Sequence, residues 1–384
     1  MHFCAVLGTH PSDTPGGAEL QAQLICAELA DRGHESTYVA FDADSQRVTD
    51  HDGVTVHRLD TDGGLDRWGR LRETVDRIGP DVLYLRNLGD IPFSLLFRLD
   101  TDAHVVYNVS HDAQCLPRFA GWPGKPDETI VHTAYRRAKL GFRRSFLPVP
   151  DTLFVQTPRQ QRLLRENRGL TGVLTGNGQP VPETPPEKHD PPVVLWLASI
   201  KPWKQPERFV EVARRCRDLP CEFWLVGRPV ERALADRLTE QADRLPNLRY
   251  LGGCTVAESD DYIEQASVFV NTSTQEGFPN TFIQSWLRRT PVVSLNVDPT
   301  DDAGDHPTGY YAVGDIETLT DRVRELITDP QRRRALGDSA FEYAREHNDI
   351  RRVVDRIEAG LPDAVVDGGG RDAGDRASRV TLDQ

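Results

Sequence analysis

Short apolar runs recur along the chain, and most are followed by a longer stretch with helical spacing. In the first half the runs are HFCAVLG (2–8), STYVAF (36–41), GVTVHRL (53–59), DVLYLRN (81–87), HVVYNVS (104–110) and TLFVQT (152–157). In the second half they are VVLWLAS (193–199), CEFWLVG (221–227), LRYLGG (248–253), SVFVNTS (267–273) and PVVSLNV (291–297). Several place apolar residues at successive positions instead of alternating them, the pattern of strands buried on both faces of a parallel sheet. Strands that alternate with helices mean βαβ units, so the predicted class is α/β. Residues 178–192, GQPVPETPPEKHDPP, interrupt the pattern; their prolines hold the chain extended, as in a linker. Two parallel-sheet domains, 1–177 and 193–345, are therefore expected to face each other across a cleft. Ligands of open parallel sheets bind beyond the carboxyl ends of the strands, which places the site in that cleft. Residues 331–358 read as one long helical stretch, with 346–360 expected to pack back on the first domain. The Gly- and Asp-rich residues 361–384 read as a disordered tail.

Composition narrows the function. The 384 residues carry 59 acids against 46 bases, a formal charge of −13, and lysine occurs only at 125, 139, 188, 201 and 204. Few lysines with many aspartates predict a halophilic host, where carboxylates keep a protein hydrated. Such a chain is a poor general binder of nucleic acid, so an anionic ligand needs a local basic site. The six cysteines are scattered with no pair of pairs for zinc, and read as reduced thiols. No signal pattern opens the chain and no apolar run approaches a membrane span. The expectation is a cytoplasmic protein, at most peripheral on the inner face of the membrane.

The segment TQEGFPNTFIQSWLRR (274–289) concentrates the chemistry. Glu276 lies just beyond the end of a strand, and Pro279 suits the start of a helix. Phe282, Ile283, Trp286 and Leu287 share one helical face and form its core side. At about 100° per residue, Gln284 points away from that face. Two readings of Gln284 stand: a solvated amide, or a second polar group that looks into the cleft beside Glu276. In the second reading the helix amino end offers N–H groups to an anion.

EGFPN before a helix, with a polar residue eight after the glutamate, resembles the E-x7-E motif of retaining glycosyltransferases of the GT-B, family 4 type. The resemblance implies two Rossmann-like domains, with the first acid on hydroxyls of the donor sugar, the second on the ribose, and the helix amino end at the diphosphate. Glu276 takes the first role, and Gly277, Phe278, Pro279 and Asn280 form the turn. Gln284 stands where the family has a glutamate; as a neutral amide it holds a ribose hydroxyl more weakly.

Four more segments fit the family. PGGAE (15–19) resembles its first βα turn, where Gly16 and Gly17 approach the donor phosphate or the acceptor. LWLASIKPWKQPE (195–207) resembles its diphosphate clamp: Lys204 matches the lysine, while Ser199 stands at the arginine position. Lys201 or Arg228 is the candidate to restore that charge, since a departing diphosphate needs cations or aligned dipoles. In NVSHD (108–112), His111 matches a histidine under the donor sugar, with Asp112 placed to orient its ring. TGNG (175–178) resembles the interdomain N-G.

The implied activity is transfer of a hexose from a nucleotide-diphosphate sugar to a hydroxyl acceptor, a glycan or a lipid-linked oligosaccharide of the cell surface. No cofactor or metal is expected: Asp-x-Asp at 42–44, 60–62 and 100–102 is what an Asp-rich chain gives by chance, and neither P-loop nor G-x-G-x-x-G occurs. AYRRAKLGFRRSFL (134–147) has two readings, a basic helix on a membrane surface or a plain amphipathic helix. Two other functions stay in view. Ser199 and Gln284 are also what a catalytically decayed nucleotide-sugar-binding partner subunit would carry. A two-domain nucleotide-sugar epimerase shares the architecture, but EGFPN does not supply its acid–base pattern.

Overall fold

A computed structural model of the chain describes residues 1–14, 16–43, 46–60, 66–86, 101–117, 132–135, 138, 141, 145, 147–230, 232–298, 300 and 308–366. The expected tail beyond 366 and most of the basic segment 134–147 therefore lie outside the described residues, as do Pro15, Asp44, Asp62 and Asp100.

The described residues form two α/β domains. The first has eight strands: β1 (His2–Leu7), β2 (Glu35–Ala43), β3 (Arg47–His51), β4 (Val54–Asp60), β5 (Val82–Arg86), β6 (His104–Val109), β7 (Thr152–Val155) and β8 (Val173–Leu174). Their order is β3-β4-β2-β1-β5-β6-β7-β8, parallel throughout except for the β3–β4 pair. The second has β9 (Val193–Leu197), β10 (Glu222–Val226), β11 (Leu248–Tyr250), β12 (Val268–Asn271), β13 (Val292–Ser294) and β14 (Gly309–Tyr311), all parallel in the order β11-β10-β9-β12-β13-β14. β1, β5 and β12 are buried along their whole length, which is why their sequences do not alternate.

The helices that position the site are α1 (Gly17–Asp31), α2 (Asp66–Ile78), α3 (Asp112–Cys115), α4 (Pro158–Arg168), α5 (Pro206–Arg215), α6 (Arg232–Asp243), α7 (Val256–Gln265) and α8 (Asn280–Leu287). They are followed by α9 (Ile316–Thr328), α10 (Pro330–His347), α11 (Ile350–Ala359) and α12 (Asp363–Val366). The single helix expected over 331–358 is two. Asn348 closes α10, and Asp349 begins α11 by accepting the Arg351 N–H with its side chain. α11 then lies on the first domain. Its Ile350, Val353, Val354 and Ile357 sit at helical spacing and join Ile25, Leu29, Tyr84 and Phe154 in one apolar cluster. Burial at about 1.5–3 kcal/mol per aliphatic side chain makes this a firm attachment. The ordered chain also runs past 361: Leu361 is buried, and Val365 and Val366 pack on the same cluster, so the first residues of the expected tail are anchored by apolar contact.

The chain crosses between domains twice at one place. Gln179 N–H donates to Asn348 O (2.9 Å), and Ile350 N–H donates to Gln179 O (3.0 Å), so the two crossings run side by side. The Pro-rich segment is pinned to the second domain. Lys188 Nζ donates to Glu264 O (3.0 Å), Arg288 O (2.7 Å) and Thr290 Oγ1 (2.7 Å), the first two at the carboxyl ends of α7 and α8. A cation there also complements the helix dipoles, and burial pushes its pKa down to about 7.

Candidate active site between the two domains

Beyond β12 the chain turns sharply, and this turn carries Glu276. Thr272, fully buried, accepts from Trp196 Nε1 (2.9 Å) and donates its hydroxyl to Lys204 O (2.7 Å) and Gln205 O (2.9 Å). That bond fixes the short 3-10 turn Pro202–Lys204 against the end of β12. Thr274 N–H tightens the join by donating to Trp203 O (2.9 Å). Lys204 Nζ and Glu276 Oε1 consequently form an ion pair, and Ser273 Oγ donates to the same carboxylate oxygen at 2.7 Å. The two charged side chains are 18% and 16% exposed, so the pair lies in a groove, neither in the core nor on open surface.

His111 belongs to the first domain and follows Ser110, whose carbonyl abuts Gly277, the residue after Glu276. It follows β6 and caps α3, with Nδ1 accepting the Ala113 N–H at 3.1 Å. An accepting Nδ1 puts the proton of the neutral ring on Nε2. Burial lowers the pKa of His111; Lys204 adds to that, while Asp112 and Glu276 oppose it. Asp112 forms an ion pair with Arg159 (3.0 Å), at the start of α4.

The seam between the domains is close along the EGFPN turn. A Cβ on Gly277 would fall inside van der Waals contact of the Ser110 carbonyl and 3.1 Å from Gln156 Oε1, so this position accepts no side chain while the cleft is closed. Phe278 N–H donates to Gln156 Oε1 (3.2 Å), and Asn177 Nδ2 donates to Phe278 O (3.0 Å). The Phe278 ring itself packs on Trp286, 6.1 Å between centroids, and points into the second domain. Pro279 is the N-cap of α8, without a side-chain hydrogen bond to the helix end. With the Phe282 N–H turned back on Pro279 O (3.1 Å), the Asn280 and Thr281 amides are the orphan donors of the first turn. The Asn280 side chain is turned away from that end. Its Nδ2 donates to Gly17 O (2.9 Å), and its Oδ1 accepts from Asn177 Nδ2 (3.3 Å). Gly17 is thus at the seam, and Gly16, extended at the N-cap of α1, is covered by the Glu19 carboxylate.

Of the remaining expected residues, Ser199 is exposed just beyond the end of β9. Lys201 Nζ lies over the Trp203 ring, 5.1 Å from its centroid. Burial lowers the Lys201 pKa, as does Lys204, while Glu276 opposes both. Arg228 is exposed beyond β10, and its backbone O accepts the Ile200 N–H (2.9 Å), which seats it beside Lys201 in the chain path. Gln284 is neither solvated nor open to the cleft. It is 4% exposed, and Nε2 donates to Asp260 Oδ1 at 3.0 Å. The reason is that α7 covers the face of α8 opposite its core stripe. Arg288 also reaches Asp260 (3.2 Å), and burial nevertheless raises the Asp260 pKa. Gln156, Asn177 and Asp260 carried no signal in the sequence reading beyond the N-G before the linker. Each acts through a contact distant in sequence.

Among the described residues no group of three or more His, Cys, Asp or Glu is placed to hold a metal, and no helix is long and apolar enough to cross a membrane.

Comparison with known proteins gives the context. Residues 191–329 match the family model of glycosyl transferases group 1, and residues 16–175 match that of the glycosyl transferase 4-like domain. No curated protein matches by sequence. Among solved structures, sucrose-phosphate synthase from Thermosynechococcus elongatus is 15% identical with a TM-score of 0.75, covering 94% of this chain and 98% of that one. Anabaena HepE in complex with UDP and glucose is 17% identical with a TM-score of 0.67, covering 94% and 98%. TarM of S. aureus is 16% identical with a TM-score of 0.60; this chain aligns over 77% of its own length but spans 58% of that one. The chain belongs to the group 1 glycosyl transferases and has their GT-B architecture.

Proposed function

We propose that the protein is a retaining glycosyltransferase that moves a hexose from a nucleotide-diphosphate sugar to a hydroxyl on a glycan or lipid-linked acceptor. The observation that carries this reading is the Lys204–Glu276–Ser273 set at the carboxyl end of β12, beside the seam where Gly277 abuts the Ser110 carbonyl next to His111. The diphosphate is taken by Lys204, Lys201 and the orphan amides of Asn280 and Thr281, with Arg228 as the further cation. In a chain of charge −13, two lysines against one carboxylate make a locally positive groove. Glu276 accepts from hydroxyls of the sugar once the donor separates it from Lys204, and the neutral His111 offers Nε2–H from the opposite wall. The bond from the anomeric carbon to the diphosphate breaks. The acceptor hydroxyl bonds to the same carbon from the same face, and its proton passes to the departing phosphate. Low-dielectric walls and closure keep water from competing. Anabaena HepE was solved with UDP and glucose and also with UDP-glucose, which supports a nucleotide-sugar donor.

Release of nucleoside diphosphate from a panel of nucleotide sugars, run at high salt because of the acidic composition, tests the reading. Glu276→Gln and Lys204→Met should each lower release by roughly 100-fold or more. Full activity in both variants would overturn it. A binding-only partner subunit is the second reading, favoured by exposed Ser199 and by Gln284 engaged on Asp260. It predicts a thermal shift with nucleotide sugars but no transfer.

A further inference from the structure

The turn that carries Glu276 is held from two sides. Its upstream half is tied to its own domain, by Ser273 on Glu276 (2.7 Å) and Thr274 on Trp203 (2.9 Å). Its downstream half is tied to the other domain: Phe278 N–H to Gln156, Phe278 O to Asn177, and Asn280 to Gly17. Gln156 is the built part of that second grip. It is 3% exposed at the end of β7, and its backbone N–H donates to Gln160 Oε1 (2.9 Å). The Gln160 N–H in turn donates to the capping Thr157 Oγ1 (3.1 Å). These bonds pin the backbone before α4, which fixes the point from which the Gln156 side chain leaves the first domain.

We infer that Gln156 is a positioning residue by which the first domain sets the Glu276 turn, so that the turn reaches its working shape only when the cleft is closed. Phe278 N–H is two residues from Glu276, and Gly277 between them leaves no side chain to buffer the coupling. An open cleft frees that amide and loosens the carboxylate; a closed one fixes both. The catalytic consequence rests on the transferase reading, whereas the structural statement does not.

Amide hydrogen exchange at residue 278 reads the contact directly, with no substrate present. Gln156→Met keeps the length and loses the acceptor, while Gln156→Glu keeps an acceptor oxygen. Phe278 exchange should be roughly tenfold faster in Gln156→Met and near wild type in Gln156→Glu, with global unfolding temperatures alike. In transfer assays kcat should fall about tenfold in Gln156→Met with a smaller change in KM, because the orientation of Glu276 matters most in the transition state. Equal protection of residue 278 in all three proteins overturns the inference. So does a loss in Gln156→Met that accompanies uniformly faster exchange and a lower unfolding temperature, since that is the mark of a merely structural role. If wild type releases no diphosphate from any donor, the transferase reading falls and the exchange result still decides this one.

Discussion

Gly277 leaves no room for a side chain at the seam between the domains, and Gly277→Ala turns that into a measurement. The added methyl would lie 3.2 Å from the Ser110 carbonyl carbon and closer still to its oxygen. Carbon–oxygen contacts settle near about 3.3–3.6 Å, so the facing segments must part by roughly 1 Å. Ser110 follows a buried strand and Gly277 follows another, so neither backbone yields cheaply. The displacement is taken up by opening the seam. Overpacking of this kind costs about 1–3 kcal/mol, and a tenfold change in an equilibrium is about 1.4 kcal/mol. The closed population should therefore drop roughly 5- to 150-fold relative to open forms. Apparent affinity for any ligand that needs closure drops by the same factor once closed molecules become the minority. Each domain keeps its core, so thermal unfolding should change little. Small-angle scattering gives the radius of gyration, and calorimetry with nucleoside diphosphates gives affinity. A variant with wild-type scattering and wild-type affinity would refute the argument, because the clash would then have been absorbed locally.

Three other perturbations follow from the geometry. Gln284→Glu sets a carboxylate against Asp260, whose pKa burial already raises; the expected loss is about 1–3 kcal/mol at pH 7 and shrinks as the pH falls and one acid takes a proton, and denaturant midpoints across a pH series check it. Lys188→Met leaves the carbonyls of Glu264 and Arg288 without their buried donor and should cost ~2–4 kcal/mol by urea unfolding, with the linker newly open to proteases. His111 is lowered from the ordinary value of 6.5, mainly by burial, so the unfolded chain binds a proton that the folded chain resists. Its stability contribution is complete above pH 6.5 and declines as the pH falls from there toward the folded value; His111→Gln should flatten the melting-temperature profile in that window, and parallel profiles would contradict the assignment.

The two sheets were readable because their strands are buried on both faces and so spell unbroken apolar runs, as Val82–Arg86 and Val268–Asn271 do. The sequence RVTDH of β3 escaped because it is a mostly exposed edge strand, paired antiparallel with β4 and lacking an apolar face. The stop at Asn348–Asp349 escaped because two good helices on either side present one continuous charged pattern, and only the capping role of Asp349 divides them. Glu276 and Lys204 were legible as members of a motif, and the structure brings them together. Gln284 was not: helical periodicity reports the face a helix turns to its own sheet, whereas its other neighbour, α7, comes from a different part of the chain. Gln156 and Asn177 are of the same kind, since a residue whose partner is a backbone group on another domain leaves no pattern in its own neighbourhood.

The paired crossing at Gln179 and Asn348 has a mechanical consequence. Two bonded threads at one spot behave as a door pin: they permit swinging and resist sliding or twisting apart. Displacement then grows with distance from the pin, so a few degrees of swing move Gln179 and Asn348 least while the far lip of the groove travels several times further. A side chain exchanged at the pin, remote from every ligand, would retune how wide the molecule gapes and how often it shuts.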